Sequence, residues 1–158
     1  MTARIRRARR AAGLGLATGA ALAAALLAVT GAGAGTAGGE RKVIGQASSN
    51  GFRAKVTALK VDQPNGEPPT ATVRLAAFER SGGEWKRLGR ALRVGEKASW
   101  FWRVVTRRYG VRKLVLARVG GSAYPDRIGL RLLISPSIGP SGTFWFTVRD
   151  GRLVAVDV

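Results

Sequence analysis

The chain has no cysteine and no histidine among its 158 residues. Without cysteine there is no disulfide, no thiol nucleophile, no thiolate-held metal and no lipidated N-terminal cysteine. Without histidine a Ser-His-Asp triad, a His-ligated zinc site and an imidazole general base are all excluded. Acids are scarce as well: nine Asp+Glu stand against 27 Lys+Arg, a formal net charge of +18. These absences remove thiol and imidazole chemistry and leave the fold to be held by its core alone.

The first 34 residues are of a different kind from the rest. MTARIRRARR holds five arginines and no acid, and Ala11 to Ala34 carries no charge at all. A basic head, an apolar run rich in Ala, Gly and Leu, and the small-residue exit Ala32-Gly33-Ala34 match an export signal cleaved after Ala34. An uncharged run of this length also meets the length of a membrane span. Its six glycines from Gly13 to Gly35 and the short apolar core Ala20 to Val29 favour cleavage over a retained anchor. Either way the arginines hold the N-terminus in the cytoplasm and the remainder lies outside. Arg6-Arg7 and Arg9-Arg10 invite a twin-arginine export route, but Ala11-Ala12 follow where bulky apolar residues are expected.

After Ala34 there are 124 residues, enough for one domain with one core. The sequence divides into a signal at 1–34, a flexible polar lead at 35–42 and a single β domain at 43–158. That mature part keeps 22 cations and all nine acids, a net charge of +13. Such an excess favours anionic polymers or surfaces in a salt-dependent way.

Period-2 patterns dominate the domain. Val43 to Ala47 reads as a short strand, and Ser48-Ser49-Asn50-Gly51 as a turn. Phe52 to Val61 is β-rich, and the loop Asp62 to Pro69 cannot lie inside a strand or helix. Ala71, Val73, Leu75 and Ala77 alternate with Thr72, Arg74 and Ala76. Glu84 to Val94 reads as two extended pieces joined near Gly89, in preference to a helix bearing Trp85, Leu88 and Leu92 on one face. Trp100, Trp102 and Val104 are expected on one face of a strand, with Phe101, Arg103 and Val105 on the other. Leu114 and Leu116 continue the pattern, and Ile128, Leu130, Leu132 and Ile134 form its cleanest example, stopped by Ser135-Pro136-Ser137. The expected fold is all-β, a two-sheet β-sandwich (Ig-like) of about seven to nine strands.

The C-terminal hairpin admits two registers. A two-residue Asp150-Gly151 turn sets Val148 against Leu153. A three-residue Arg149-Asp150-Gly151 loop with a bulge sets Phe146 against Val154 and Phe144 against Val156. The second collects Phe144, Phe146, Val148, Val154 and Val156 on one face and buries more apolar area, so it is the one expected. Trp145 then faces the other way.

Motifs for chemistry are few. Gly139-Pro140-Ser141-Gly142 lacks the Gly-Lys-Ser/Thr end of a phosphate-binding loop, and Ser141 is not in a nucleophile elbow. Glu79 and Glu84 flank a tight turn and could form a carboxylate pair. Asp62, Asn65 and Glu67 could hold calcium but lack EF-hand spacing. Neither a cofactor nor a metal site is expected. The aromatic and basic residues are the stronger clue. Trp100-Phe101-Trp102-Arg103 runs into Thr106-Arg107-Arg108-Tyr109, and interleaved aromatics and cations stack rings while gripping anions. The tryptophans serve equally well as core. The candidate binding residues are Arg103, Arg107, Arg108 and Arg112, gathered at one hairpin end, together with Trp145.

Ala47-Ser48-Ser49-Asn50-Gly51-Phe52, Ser135-Pro136-Ser137-Ile138-Gly139 and Val148-Arg149-Asp150-Gly151 are turn sequences. With the signal, this layout resembles uncharacterised secreted proteins of actinobacteria. The resemblance implies export and a β fold and transfers no site. The expectation is therefore an exported, non-catalytic domain that binds anionic wall polymer or polysaccharide. No specific nucleic acid is expected as partner, and the membrane is met only through the signal. The alternatives are a small hydrolase using Glu79, Glu84 or Asp126, and a protein-binding or inhibitor module acting through Pro64 to Pro69.

Overall fold

A computed structural model describes residues 39–118 and 124–157. The expected cleavage site after Ala34 and residues 35–38 of the polar lead lie outside them. The described residues form one compact unit. Among the described residues no helix is long and apolar enough to cross a membrane.

The domain is an all-β two-sheet sandwich. Its first sheet contains β1 (Arg41–Ser49), β2 (Phe52–Val61), β3 (Thr70–Ser81), β4 (Glu84–Arg87), β5 (Leu92–Val94) and β6 (Trp100–Phe101). A single helical turn, α1 (Trp102–Val105), leads to the second sheet. That sheet contains β7 (Val111–Ala117), β8 (Arg127–Ser135), β9 (Gly139–Pro140), β10 (Phe144–Arg149) and β11 (Arg152–Val156). All pairings are antiparallel. The first sheet runs β1-β2-β3 and then pairs β3 in turn with β4, β5 and β6; the second runs β11-β10-β8-β7, with β9 on β8. The eleven described strands exceed the seven to nine expected because β5, β6 and β9 are pieces of two or three residues. The sheets are wound as two successive meanders, so the sandwich architecture is the one expected while its winding is simpler than an immunoglobulin Greek key.

Alternation explains the core. Phe52, Ala54, Val56 and Ala58 of β2 and Ala71, Val73, Leu75 and Ala77 of β3 turn inward and are buried. They meet Ile128, Leu130 and Leu132 of β8, Phe146 and Val148 of β10 and Leu153 of β11. The alanines leave room for bulk: Ala71 pairs with Trp100, whose indole packs edge-on against Phe144 at 5.8 Å. The buried Trp100 Nε1 donates to the Val94 carbonyl at 2.8 Å, so its one polar atom is satisfied.

Three expectations need correction. First, β1 starts at Arg41 and the Glu40 carbonyl accepts from Lys60 N at 2.8 Å, so the strand takes in the end of the supposed lead. Second, the strand expected beyond Trp100 stops after Phe101. The chain coils into α1, closed by Thr106, whose hydroxyl and amide both donate to the Trp102 carbonyl, at 2.7 and 3.1 Å. The coil brings Trp102 and Val105 inward together, at i and i+3, whereas a strand would have exposed Val105. Third, the C-terminal hairpin adopts the other register. Val148 faces Leu153, Phe146 faces Ala155 and Thr147 faces Val154. Asp150 and Gly151 have φ of 49° and 67°, the left-handed pair of a type I′ turn, whose twist matches that of the flanking strands. Turn geometry outweighs the apolar area offered by the longer loop, and Leu153 takes the buried place expected for Val154. The two pieces expected on either side of Gly89 are found as β4 and β5.

Candidate functional site

The outer face of the first sheet is the most distinctive surface of the domain. Each inward core residue leaves its neighbours facing out, and the registers assemble those neighbours into cross-strand rows. One row runs Arg41, Leu59, Thr72. The next runs Val43, Thr57, Arg74, Arg93. Then follow Gln46, Lys55, Ala76, and after them Ser48, Arg53, Phe78, Arg87. Arg80 and Trp85 close the series. No acid occupies any of these outward positions.

Part of this face is concave. A cavity of about 470 Å³ is floored by Thr57, Leu59, Thr72, Ala76 and Phe78 and edged by Val43 and Ala91. Its charged walls are Arg41, Lys55, Arg74 and Arg87. Thr72 is buried although it faces outward, because the loop after β5 folds over it: Ala98 N donates to Thr72 Oγ1 at 3.1 Å. From Thr72 to Phe78 the β3 floor extends over roughly 20 Å. Val43 and Phe101, 47 % and 46 % exposed, add apolar surface to the same side of the sheet.

The electrostatics are one-sided. Arg74 and Arg93 are directly opposed on β3 and β5, a like-charge pair that disfavours the sheet. Arg93 Nε donates to the Gly95 carbonyl at 3.3 Å, while Arg74 has no ion-pair or hydrogen-bond partner among the described residues. The Arg53 guanidinium stacks 3.9 Å over the Trp85 ring and its Nε donates to Ser48 Oγ at 3.3 Å, fixing it without neutralising it. The face therefore combines a small-residue and apolar floor with uncompensated cations, which suits a chain bearing repeated negative groups.

The residues expected to bind are placed differently. Arg103 sits in α1. Arg107 and Arg108 are in the turn that Gly110 N closes on the Arg107 carbonyl at 3.0 Å. Arg112 lies where the β7–β8 register jumps between Val111 and Lys113. All four are exposed and none has an ion pair among the described residues. Lys42 joins this end of the domain through Nζ, which donates to the Thr106 carbonyl at 2.9 Å. They cluster around a helical turn rather than at a hairpin end. Trp145 is not with them. It faces outward from the second sheet, folded over Gly129, where an added Cβ would lie 3.0 Å from the indole. Its cation neighbour is Arg127, at 5.8 Å from the ring centroid.

The other chemical candidates are placed as follows. Opposite Glu79 stands Lys86, and opposite Glu84 stands Ser81, so the two glutamates are not paired across their strands. Glu79 Oε2 accepts from the Tyr124 hydroxyl at 2.7 Å. That hydrogen bond, with lesser help from desolvation and the carboxylate charge, raises the Tyr124 pKa above its ordinary value. Asp126 is half-buried. Asp62 is ion-paired with Lys60 at 3.0 Å, and among the described residues no three acids gather as a metal site. Pro64–Gly66 form a short 3₁₀ turn in an exposed loop. Ser141 Oγ accepts from Leu132 N and donates to the Gly142 carbonyl, both at 3.0 Å, a structural use of the hydroxyl.

In comparisons with known proteins, the chain matches no family model, no curated protein and no solved structure.

Proposed function

We propose that this is an exported, non-catalytic domain that binds an anionic cell-envelope or extracellular polymer, and that the groove on the first sheet is where it binds. The observation that carries this reading is the acid-free outer face, with Arg41, Lys55, Arg74 and Arg87 walling the groove. Its floor of threonine, alanine, leucine and phenylalanine suits sugar rings better than a bare inorganic chain, so an acidic or phosphorylated polysaccharide fits best. The four exposed arginines between Arg103 and Arg112 strengthen the field that draws such a chain in. Export rests on the N-terminal signal pattern, and the protein recovered from culture medium should have lost residues 1–34 by intact mass.

The direct test is retention of the purified protein on cell-wall fractions. Binding at low salt, release at high salt and loss of binding when the four groove cations are replaced by serine support the reading. No retention at low salt, or retention unchanged in that variant, removes its basis.

A further inference from the structure

The second sheet repeats the feature on the opposite side of the domain. Lys113 faces Arg131 across β7 and β8, again a like-charge pair, and Arg127 stands one row beyond Gly129. All three cations are exposed and none has an ion pair among the described residues. Arg131 is held by two hydrogen bonds to Thr143 Oγ1, at 3.2 and 3.0 Å. Between these cations lies the Trp145 indole, over Gly129 and 5.8 Å from the Arg127 guanidinium. An aromatic surface with a guanidinium on either side, one of them anchored, is suited to a sugar ring carrying an acidic group.

The cations of this surface stand on the other sheet from the groove walls, and only Arg93, which shares a cavity with Trp145, lies near both. The core lies between the two sheets, and the cations of each point away from it. Packed sheets stand about 10 Å apart before side chains are added on either side. That exceeds the Debye length of about 8 Å at physiological salt, so the two faces act as separate electrostatic sites.

Building on the polymer-binding reading, we propose that the domain is bivalent. The first-sheet groove takes one segment of anionic polysaccharide. The Trp145 face, with Lys113, Arg127 and Arg131, takes a segment of a second chain. The protein then cross-links the polymer instead of only coating it. Once one protein has joined two chains, further links between those chains form at high effective concentration. Excess protein saturates every chain singly and dissolves the network.

The test mixes the purified protein with long-chain dextran sulfate and follows light scattering across the protein-to-polymer ratio. In parallel, a short sulfated oligosaccharide reports binding stoichiometry. Scattering should rise and then fall as protein is added. The variant K113S/R127S/R131S should bind half as many oligosaccharides per protein and give no scattering. The serine variant should keep the far-UV circular dichroism of the unaltered protein and its remaining oligosaccharide site on the first sheet, which separates loss of charge from loss of fold. Scattering undiminished in the serine variant, or binding of long dextran sulfate without scattering, overturns bivalency and leaves the groove reading standing. Failure to bind either probe overturns both.

Discussion

Arg74 provides the sharpest separation between a working cation and a structural one. It is exposed on β3, walls the groove and opposes Arg93 with no acid beside it. Replacing it with threonine keeps a strand-favouring residue and removes only the charge. Relief of the Arg74–Arg93 repulsion should stabilise the domain by about 0.2–0.5 kcal/mol. In thermal unfolding at low salt that corresponds to a rise of roughly 1–2 °C in Tm. Binding should move the other way. If the four groove cations each release a counterion from a flexible polyanion, log affinity falls against log salt with a slope of about −2.8. Between 50 and 200 mM salt that is a loss of roughly 50-fold. With Arg74→Thr the slope should shrink to about −2.1 and the loss to roughly 20-fold. The assay is a salt titration of oligosaccharide binding by fluorescence anisotropy, beside a melting curve on the same samples. An unchanged slope refutes the assignment of Arg74 to the site. A lowered Tm refutes the claim that its charge is uncompensated.

Phe146 is 2 % exposed, and Phe146→Ala should cost about 3–5 kcal/mol in urea unfolding; a loss under about 1 kcal/mol would mean that the β10 face is misplaced. Tyr124 should ionise above the ordinary phenol value of about 10 in an ultraviolet titration, because ionisation breaks its hydrogen bond to Glu79. The stability this contributes is fully present below that ordinary value and is lost as pH climbs through the raised one. In Glu79→Ala, which removes both the acceptor and the charge, the rise should shrink to what desolvation alone sustains; an unaltered titration would show that the bond does not form in solution.

The sandwich was readable because alternation is a local signal. Ala71, Val73, Leu75 and Ala77 announce an inward face on their own, and the same alternation marks Arg74 as outward. What could not be read was pairing. Arg41, Lys55, Arg74 and Arg87 are spread over nearly fifty positions, and only the β1–β2–β3–β4 registers bring them to one groove. The arginines at 103, 107, 108 and 112 are neighbours in sequence, which is a weaker guide to a shared surface in a meander. The local errors have local causes. At Trp102 a one-turn coil and a strand both bury the indole, and only the burial of Val105 tells them apart. At Asp150-Gly151 the apolar count favoured one register and the backbone of the turn imposed the other. The signal to heed there was the dipeptide itself.

Each sheet is closed within its own stretch of chain, residues 41–101 for the first and 111–156 for the second, with α1 and the turn after it as the bridge. No described strand is shared between them, so the core is a contact between two halves of one polypeptide. In that sense the domain is an internal heterodimer whose partners happen to be tethered. The tether carries Arg107 and Arg108, both exposed and of the residue type that a trypsin-like protease cleaves after. A nick there would cut the chain without opening a sheet. It would turn a folding equilibrium into an association equilibrium, in which the halves remain joined only as tightly as their apolar faces hold and come apart on dilution.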